Sequence, residues 1–205
     1  MPDIDEDLKT LCKSAKEYGA SKASAMSAEQ VVVDPRVRLK CMIPVCVSYG
    51  VCLTCPPNVP SPEEFSRILS KYHHAVLVQL PFEMDRNFIE LVEKKAPLAE
   101  TRKDREYQAV LTGNFRRLVD ALGRLEADAQ GMGYRFAVAL SGGSCRLCEK
   151  CVGQGSGEPC RHPFEARPAM EAVGIDVVET ARNAGMPFEF PARDNPVMTG
   201  LLLVD

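Results

Sequence analysis

The chain contains no tryptophan, three histidines and 6% aromatic residues, and several familiar motifs are missing. There is no H-E-x-x-H metal helix, no G-x-x-x-x-G-K-[ST] phosphate loop and no G-x-G-x-x-G following a strand. Gly131-Met132-Gly133 lacks a third glycine and closes a helical stretch, so neither flavin nor nicotinamide is supported. No Ser/His/Asp arrangement is visible. Long apolar runs are also lacking. The longest, such as Ala75–Leu80 and Leu201–Val204, are far too short to span a bilayer. A surplus of charge is missing too: a formal charge of −3 gives no general attraction for nucleic acid or anionic membranes. Lys94-Lys95, Arg102, Lys103, Arg105 and Arg116-Arg117 are interleaved with Glu93, Glu100, Asp104 and Glu106, which reads as a solvated helix face. The acidic start MPDIDED has the wrong polarity for a presequence, so a cytoplasmic location is expected.

What is present is a 205-residue chain, 45% hydrophobic and 26% charged, with the composition of one globular domain. Leu8, Leu11, Cys12 and Ala15 mark an amphipathic helix from Asp5 to about Gly19, with Cys12 on its apolar stripe. Short strands are expected between Ala23 and Leu39, including Val31-Val32-Val33. Ser61-Pro62-Glu63-Glu64 has the form of a capping box and predicts a helix burying Phe65, Ile68, Leu69 and Tyr72. Ala75–Leu80 follows as a buried strand. Asp85 then caps a helix that should end before Pro97. Tyr107, Val110, Leu111, Phe115, Leu118, Val119, Leu122 and Leu125 form one stripe on a helix over Glu106–Gln130. Further strands are expected at Arg135–Leu140 and Thr199–Val204, with short helices at Pro168–Ala172 and after Asp176. The alternation predicts an α/β fold: a mixed sheet of about four strands with packed helices and two cysteine-rich loops that bind metal.

Nine cysteines are the outlying feature, and eight lie in two segments, 41–55 and 145–160, while Cys12 stands alone. In a reducing compartment such clusters point to metal ligation rather than disulfides. Cys145-x2-Cys148-x2-Cys151, with Cys160 after a glycine-rich excursion and Pro163 beyond it, is close in form to [4Fe–4S] ligation. Zinc is the rival, since four cysteines also close a tetrahedral site. Ser141-Gly142-Gly143-Ser144 reads either as a turn or as backbone N–H groups directed at cluster sulfurs. His162 reads as a neighbour supporting the ligands. Cys41-x4-Cys46-x5-Cys52-x2-Cys55 can close around a second centre, although its spacing is irregular.

LKCMIPVCVSYGVCLTCPPNVPSPEEF and SGGSCRLCEKCVGQGSGEPCRHPFEARPAMEAVGIDV resemble an uncharacterised family of bacterial and archaeal cysteine-rich proteins described as predicted metal-binding proteins. The resemblance runs from about Gly19 to the C-terminus and implies metal binding, not an activity. Its first motif, C-x4-C-x2-YG-x4-CPPN, is matched by Cys41, Cys46, Tyr49, Gly50, Cys55, Pro56, Pro57 and Asn58. Cys52 lies outside that pattern. Either Cys52 or another group then completes the site, or an iron stays open. The expectation is an iron–sulfur protein with one or two [4Fe–4S] clusters, ligated by Cys145, Cys148, Cys151 and Cys160 and by Cys41, Cys46, Cys55 and Cys52, passing electrons to a redox partner protein. The alternatives are an enzyme with an open-site cluster and a zinc-stabilised interaction module.

Overall fold

The computed structural model describes residues 3–93, 103–188 and 195–205. Helix α1 (Ile4–Glu17) is capped by Asp3, whose carboxylate accepts the Asp5 N–H, and three acidic residues in its first turn complement the helix dipole. Strand β1 (Lys22–Ser27) follows. The chain then passes through the first cysteine segment, which holds the short helix α2 (Leu39–Met42), to α3 (Pro62–Leu69) and β2 (His74–Pro81). Helix α4 (Arg86–Glu93) precedes the long α5 (Arg105–Gly131). Strand β3 (Val138–Leu140), the second cysteine segment, α6 (Val177–Asn183) and β4 (Val197–Val204) complete the order.

The four strands form one sheet in the order β1-β2-β4-β3, and every pairing is antiparallel. The mixed sheet expected from the alternation of elements is corrected here. Helices do lie between strands, but they do not serve as parallel crossovers: the β1–β2 connection, which holds the first cysteine segment and α3, joins antiparallel neighbours. Successive side chains of a strand point to opposite faces, which explains why β2 and β4 are apolar almost throughout. Val76, Val78, Leu80, Leu202 and Val204 pack on one face against Leu8, Leu11 and Ala15 of α1 and Leu118, Leu122 and Leu125 of α5. Ala75, Leu77, Leu201 and Leu203 pack on the other against Phe65, Leu69, Met170, Val173 and Ile175. Each fully buried leucine contributes roughly 1.5–3 kcal/mol.

Local signals hold where they depend on neighbours in sequence. The box at Ser61 forms: its hydroxyl accepts the Glu64 N–H at 3.1 Å, while Glu64 accepts the Ser61 N–H at 2.8 Å. Of the expected face of α3, Phe65 and Leu69 are buried, but Ile68 is 44% exposed. Val31–Val33 makes only an isolated bridge from Val33 to Ile175, because the preceding residues close a 3-10 turn. The strand read from Arg135 begins at Val138, since the Ala137 N–H turns back onto the Tyr134 carbonyl at 3.0 Å. Pro168–Ala172 is not a helix: Ala169 bridges Ser141, and a 3-10 turn over Glu171–Val173 follows, closed by Gly174 in the left-handed region at φ +91°. The expected end of the Asp85 helix before Pro97 lies outside the described residues. Among those described, no helix is long and apolar enough to cross a membrane.

Candidate functional site

The first cysteine segment is a chain of linked turns. The Cys46 N–H bonds the Cys41 carbonyl at 3.0 Å, the Tyr49 N–H bonds the Cys46 carbonyl, and the Cys52 N–H bonds the Ser48 carbonyl. Cys52 and Cys55 then close a further turn through the Cys55 N–H and the Cys52 carbonyl, 3.0 Å apart. The Asn58 side chain donates to that same Cys52 carbonyl at 3.2 Å. The prolines after Cys55 prevent helix from continuing. Cys52 and Cys55 are each 6% exposed, the most buried thiols of the two segments.

The second segment leaves the sheet at β3. The Ser141 N–H bonds the Pro168 carbonyl at 2.9 Å, and the Met170 N–H bonds the Ser141 carbonyl at 2.8 Å. A side chain at Gly142 would meet the Thr199 carbonyl oxygen at 2.7 Å, so only glycine allows this approach to β4. The Gly143 N–H donates to Glu171 Oε2 at 3.2 Å. The SGGS stretch therefore serves as a joint between β3, β4 and Glu171. Leu147 anchors the loop on Phe115 and Val119 of α5, while Arg146 bonds Gln108 at 2.8 Å. The two segments lie against each other: a side chain added at Gly153 would stand 3.4 Å from the Val51 carbonyl oxygen.

This packing brings three thiols together. The Cys52 sulfur has the thiols of Cys145 and Cys55 as neighbours and lies 3.4 Å from the Thr54 hydroxyl. Those neighbours lower the Cys52 thiol from its ordinary value, opposed by burial. The proximity of Cys52, together with burial, raises the thiols of Cys55 and Cys145. Burial first, and then the nearby Cys46, raises the Cys41 thiol. Cys148 and Cys151 face a separate open hollow beside His162. The Cys160 sulfur accepts the His162 N–H at 3.4 Å, and the His162 ring pairs with Glu165 at 3.2 Å. Cys12 is half-buried, with its thiol raised by burial.

Cys41, Cys46 and Cys55 also line a cavity of about 580 Å³. Glu171 and Lys40 stand in its wall, together with Val37, Ile175, Val177, Val178 and Met198. Burial raises the Glu171 carboxyl, opposed by the Gly143 N–H and the Lys40 charge. Sequence reasoning missed Glu171 and the apolar wall. Neither has a local signal, because both are assembled from chain segments far apart. The central position of Cys52 had one available signal, its C-x2-C spacing to Cys55.

An antiparallel sheet covered on both faces, with two cysteine loops folded together beside it, defines a cysteine-rich α/β protein whose thiols gather next to a cleft. The chain belongs to the family described as Predicted metal-binding protein (DUF2284), whose model matches residues 24–204. No curated protein and no solved structure gives a match.

The metal implied by that description can be tested against the donor set. Among the described residues, no group of three or more His, Cys, Asp or Glu side chains is placed to hold a metal ion. The expected [4Fe–4S] clusters, the zinc alternative and the iron–sulfur electron-transfer function built on them are thereby corrected. The physical reason lies in the placement of the thiols. A metal site needs sulfurs surrounding one point, whereas Cys145 lies beside Cys52 and Cys148 and Cys151 face another hollow.

Proposed function

We propose that the chain is a thiol–disulfide exchange protein acting on a small molecule in the cavity, with Cys52 and Cys55 as the exchanging pair and Cys145 as a supporting thiol. The observation that carries this reading is the buried Cys52–Cys55 turn, closed by the Cys55 N–H on the Cys52 carbonyl at 3.0 Å, with Cys55 opening onto the cavity. A C-x2-C turn is a recognised setting for dithiol chemistry, and thiolates rather than thiols attack disulfides.

Cys55 lines the cavity. As a thiolate, Cys55 Sγ attacks one sulfur of the substrate disulfide; an S–S bond forms and the first substrate thiolate leaves, taking up a proton equivalent to the one Cys55 gave to solvent. Cys52 Sγ, its own proton lost to solvent, then attacks Cys55 Sγ and displaces the second, which is protonated in turn. The products are one Cys52–Cys55 disulfide and two thiols. The substrate disulfide has gained two electrons, and the protein dithiol has lost them. Two equivalents of a low-molecular-weight thiol return the protein to its starting state.

The test uses dithiodipyridine at one equivalent per chain. An exchanging pair releases both pyridinethione halves of each probe molecule; isolated thiols release one and retain the other. Two halves per probe are expected from the wild type and one from Cys52→Ala. One half from the wild type refutes the proposal.

A further inference from the structure

The walls of the cavity define which disulfides it accepts, an inference that rests on the exchange chemistry proposed above. Away from the three lining thiols, the surface is built largely from Val37, Ile175, Val177, Val178, Val197 and Met198. At about 580 Å³ the space lies within the range of small-molecule sites, and it is far too small for a folded protein substrate. Among the described residues, the charged side chains of its wall are one cation, Lys40, and two carboxyl groups, Glu171 and Asp176. Both carboxyl groups already accept backbone N–H groups: Glu171 that of Gly143, and Asp176 those of Val178 and Glu179. Within that described wall, apolar side chains and two carboxyl groups outweigh one cation against an anionic ligand. Burying an unpaired charge in such surroundings is strongly unfavourable.

We infer that the site takes an uncharged, largely apolar low-molecular-weight disulfide, and that it rejects anionic peptide disulfides of the glutathione type. The apolar part of the ligand lies along Val177, Val178 and Met198, which leaves its sulfurs at Cys55. Val178 is the position at which to alter this preference. It is only partly buried and sits in the first turn of α6, where an added carboxylate complements the helix dipole, so Val178→Glu is compatible with folding.

The experiment measures rate constants for modification of Cys55, by peptide mass analysis, with dithiodipyridine and with oxidised glutathione. Each rate is divided by that of the same probe with an exposed cysteinyl peptide. The wild type is expected to favour the apolar probe by at least roughly tenfold after this normalisation, and Val178→Glu to reduce that preference by slowing the apolar probe. Equal normalised rates, or an unaltered preference in Val178→Glu, overturn the inference. The two readings fail separately. One pyridinethione per probe removes the exchange chemistry, whereas two per probe without a preference removes only the substrate class.

Discussion

Glu126 provides the sharpest test of how the second cysteine loop is held. Its carboxylate receives Arg167 through two bonds, Nη2 to Oε1 at 2.8 Å and Nε to Oε2 at 3.1 Å, and it also accepts the Ala139 N–H of β3 at 2.6 Å. Side-chain exposure is 10% for Arg167 and 16% for Glu126, so water offers little compensation. Arg167 in turn donates to the carbonyls of Phe164 and Ala166, just beyond Cys160. Replacing Glu126 by alanine leaves a buried guanidinium without its partner, and breaking a buried pair in this way costs about 3–5 kcal/mol. The orphaned Ala139 N–H opposes folding further, by about 1–3 kcal/mol if it finds no water. A domain of this size is stable by only about 5–15 kcal/mol, so Glu126→Ala should lose a large part of the total. Urea denaturation of Glu126→Ala, Arg167→Ala and the double variant measures the coupling, expected near the upper end of the ~0.5–3 kcal/mol range for contacting residues. The loss should change little with added salt, because a buried pair is weakly screened. A Glu126→Ala variant within about 1 kcal/mol of the parent, or additive single variants, would refute the reasoning.

Three further outcomes are expected. Ser61→Ala removes the acceptor of the Glu64 N–H and should lower stability by about 1 kcal/mol, while Ser61→Asp should keep most of it; thermal melts decide between them. Gly200→Ala places a methyl 2.8 Å from Leu122 Cδ1 in the centre of the sheet and should cost about 1–3 kcal/mol through overpacking, which Leu122→Ala in the same chain should partly relieve. Tyr134, hydrogen-bonded to Asp7 at 2.7 Å, is pushed up to about 12 by burial and that bond. Because the neutral phenol is the bonded form, its contribution is complete below its ordinary value of 10.0 and is lost as pH rises through about 12. Ultraviolet titration should show a late component that Tyr134→Phe removes, beside the raised Tyr18 and Tyr72.

The parts of this structure legible in the sequence are those set by residues a few positions apart. The stripe Phe115, Leu118, Leu122 and Leu125 follows from helical spacing, and the Ser61–Glu64 box needs only four residues. Ala75–Leu80 and Thr199–Val204 are apolar almost throughout because both faces of the sheet are covered, but covered strands read alike whether parallel or antiparallel. Their direction therefore stayed hidden. The cysteines show the same division. Spacing groups them into two segments, yet it does not reveal that Cys145 lies beside Cys52 of the other segment. The C-x4-C-x2-YG-x4-CPPN pattern passes over Cys52, whose importance arises only when the loops pack at Val51 and Gly153. Glu171 was hidden for the same reason, since its partner Gly143 lies 28 positions away.

The most direct test of the exchange pair is equilibration of the reduced protein in mixtures of reduced and oxidised dithiothreitol, followed by acid trapping, alkylation and peptide mass analysis. A single disulfide joining Cys52 to Cys55 should form first as the mixture becomes more oxidising, and Cys52→Ala should leave Cys55 alkylated across the same range. Preferential formation of another pair, such as Cys148 with Cys151, with Cys52 and Cys55 still reduced, would contradict the account.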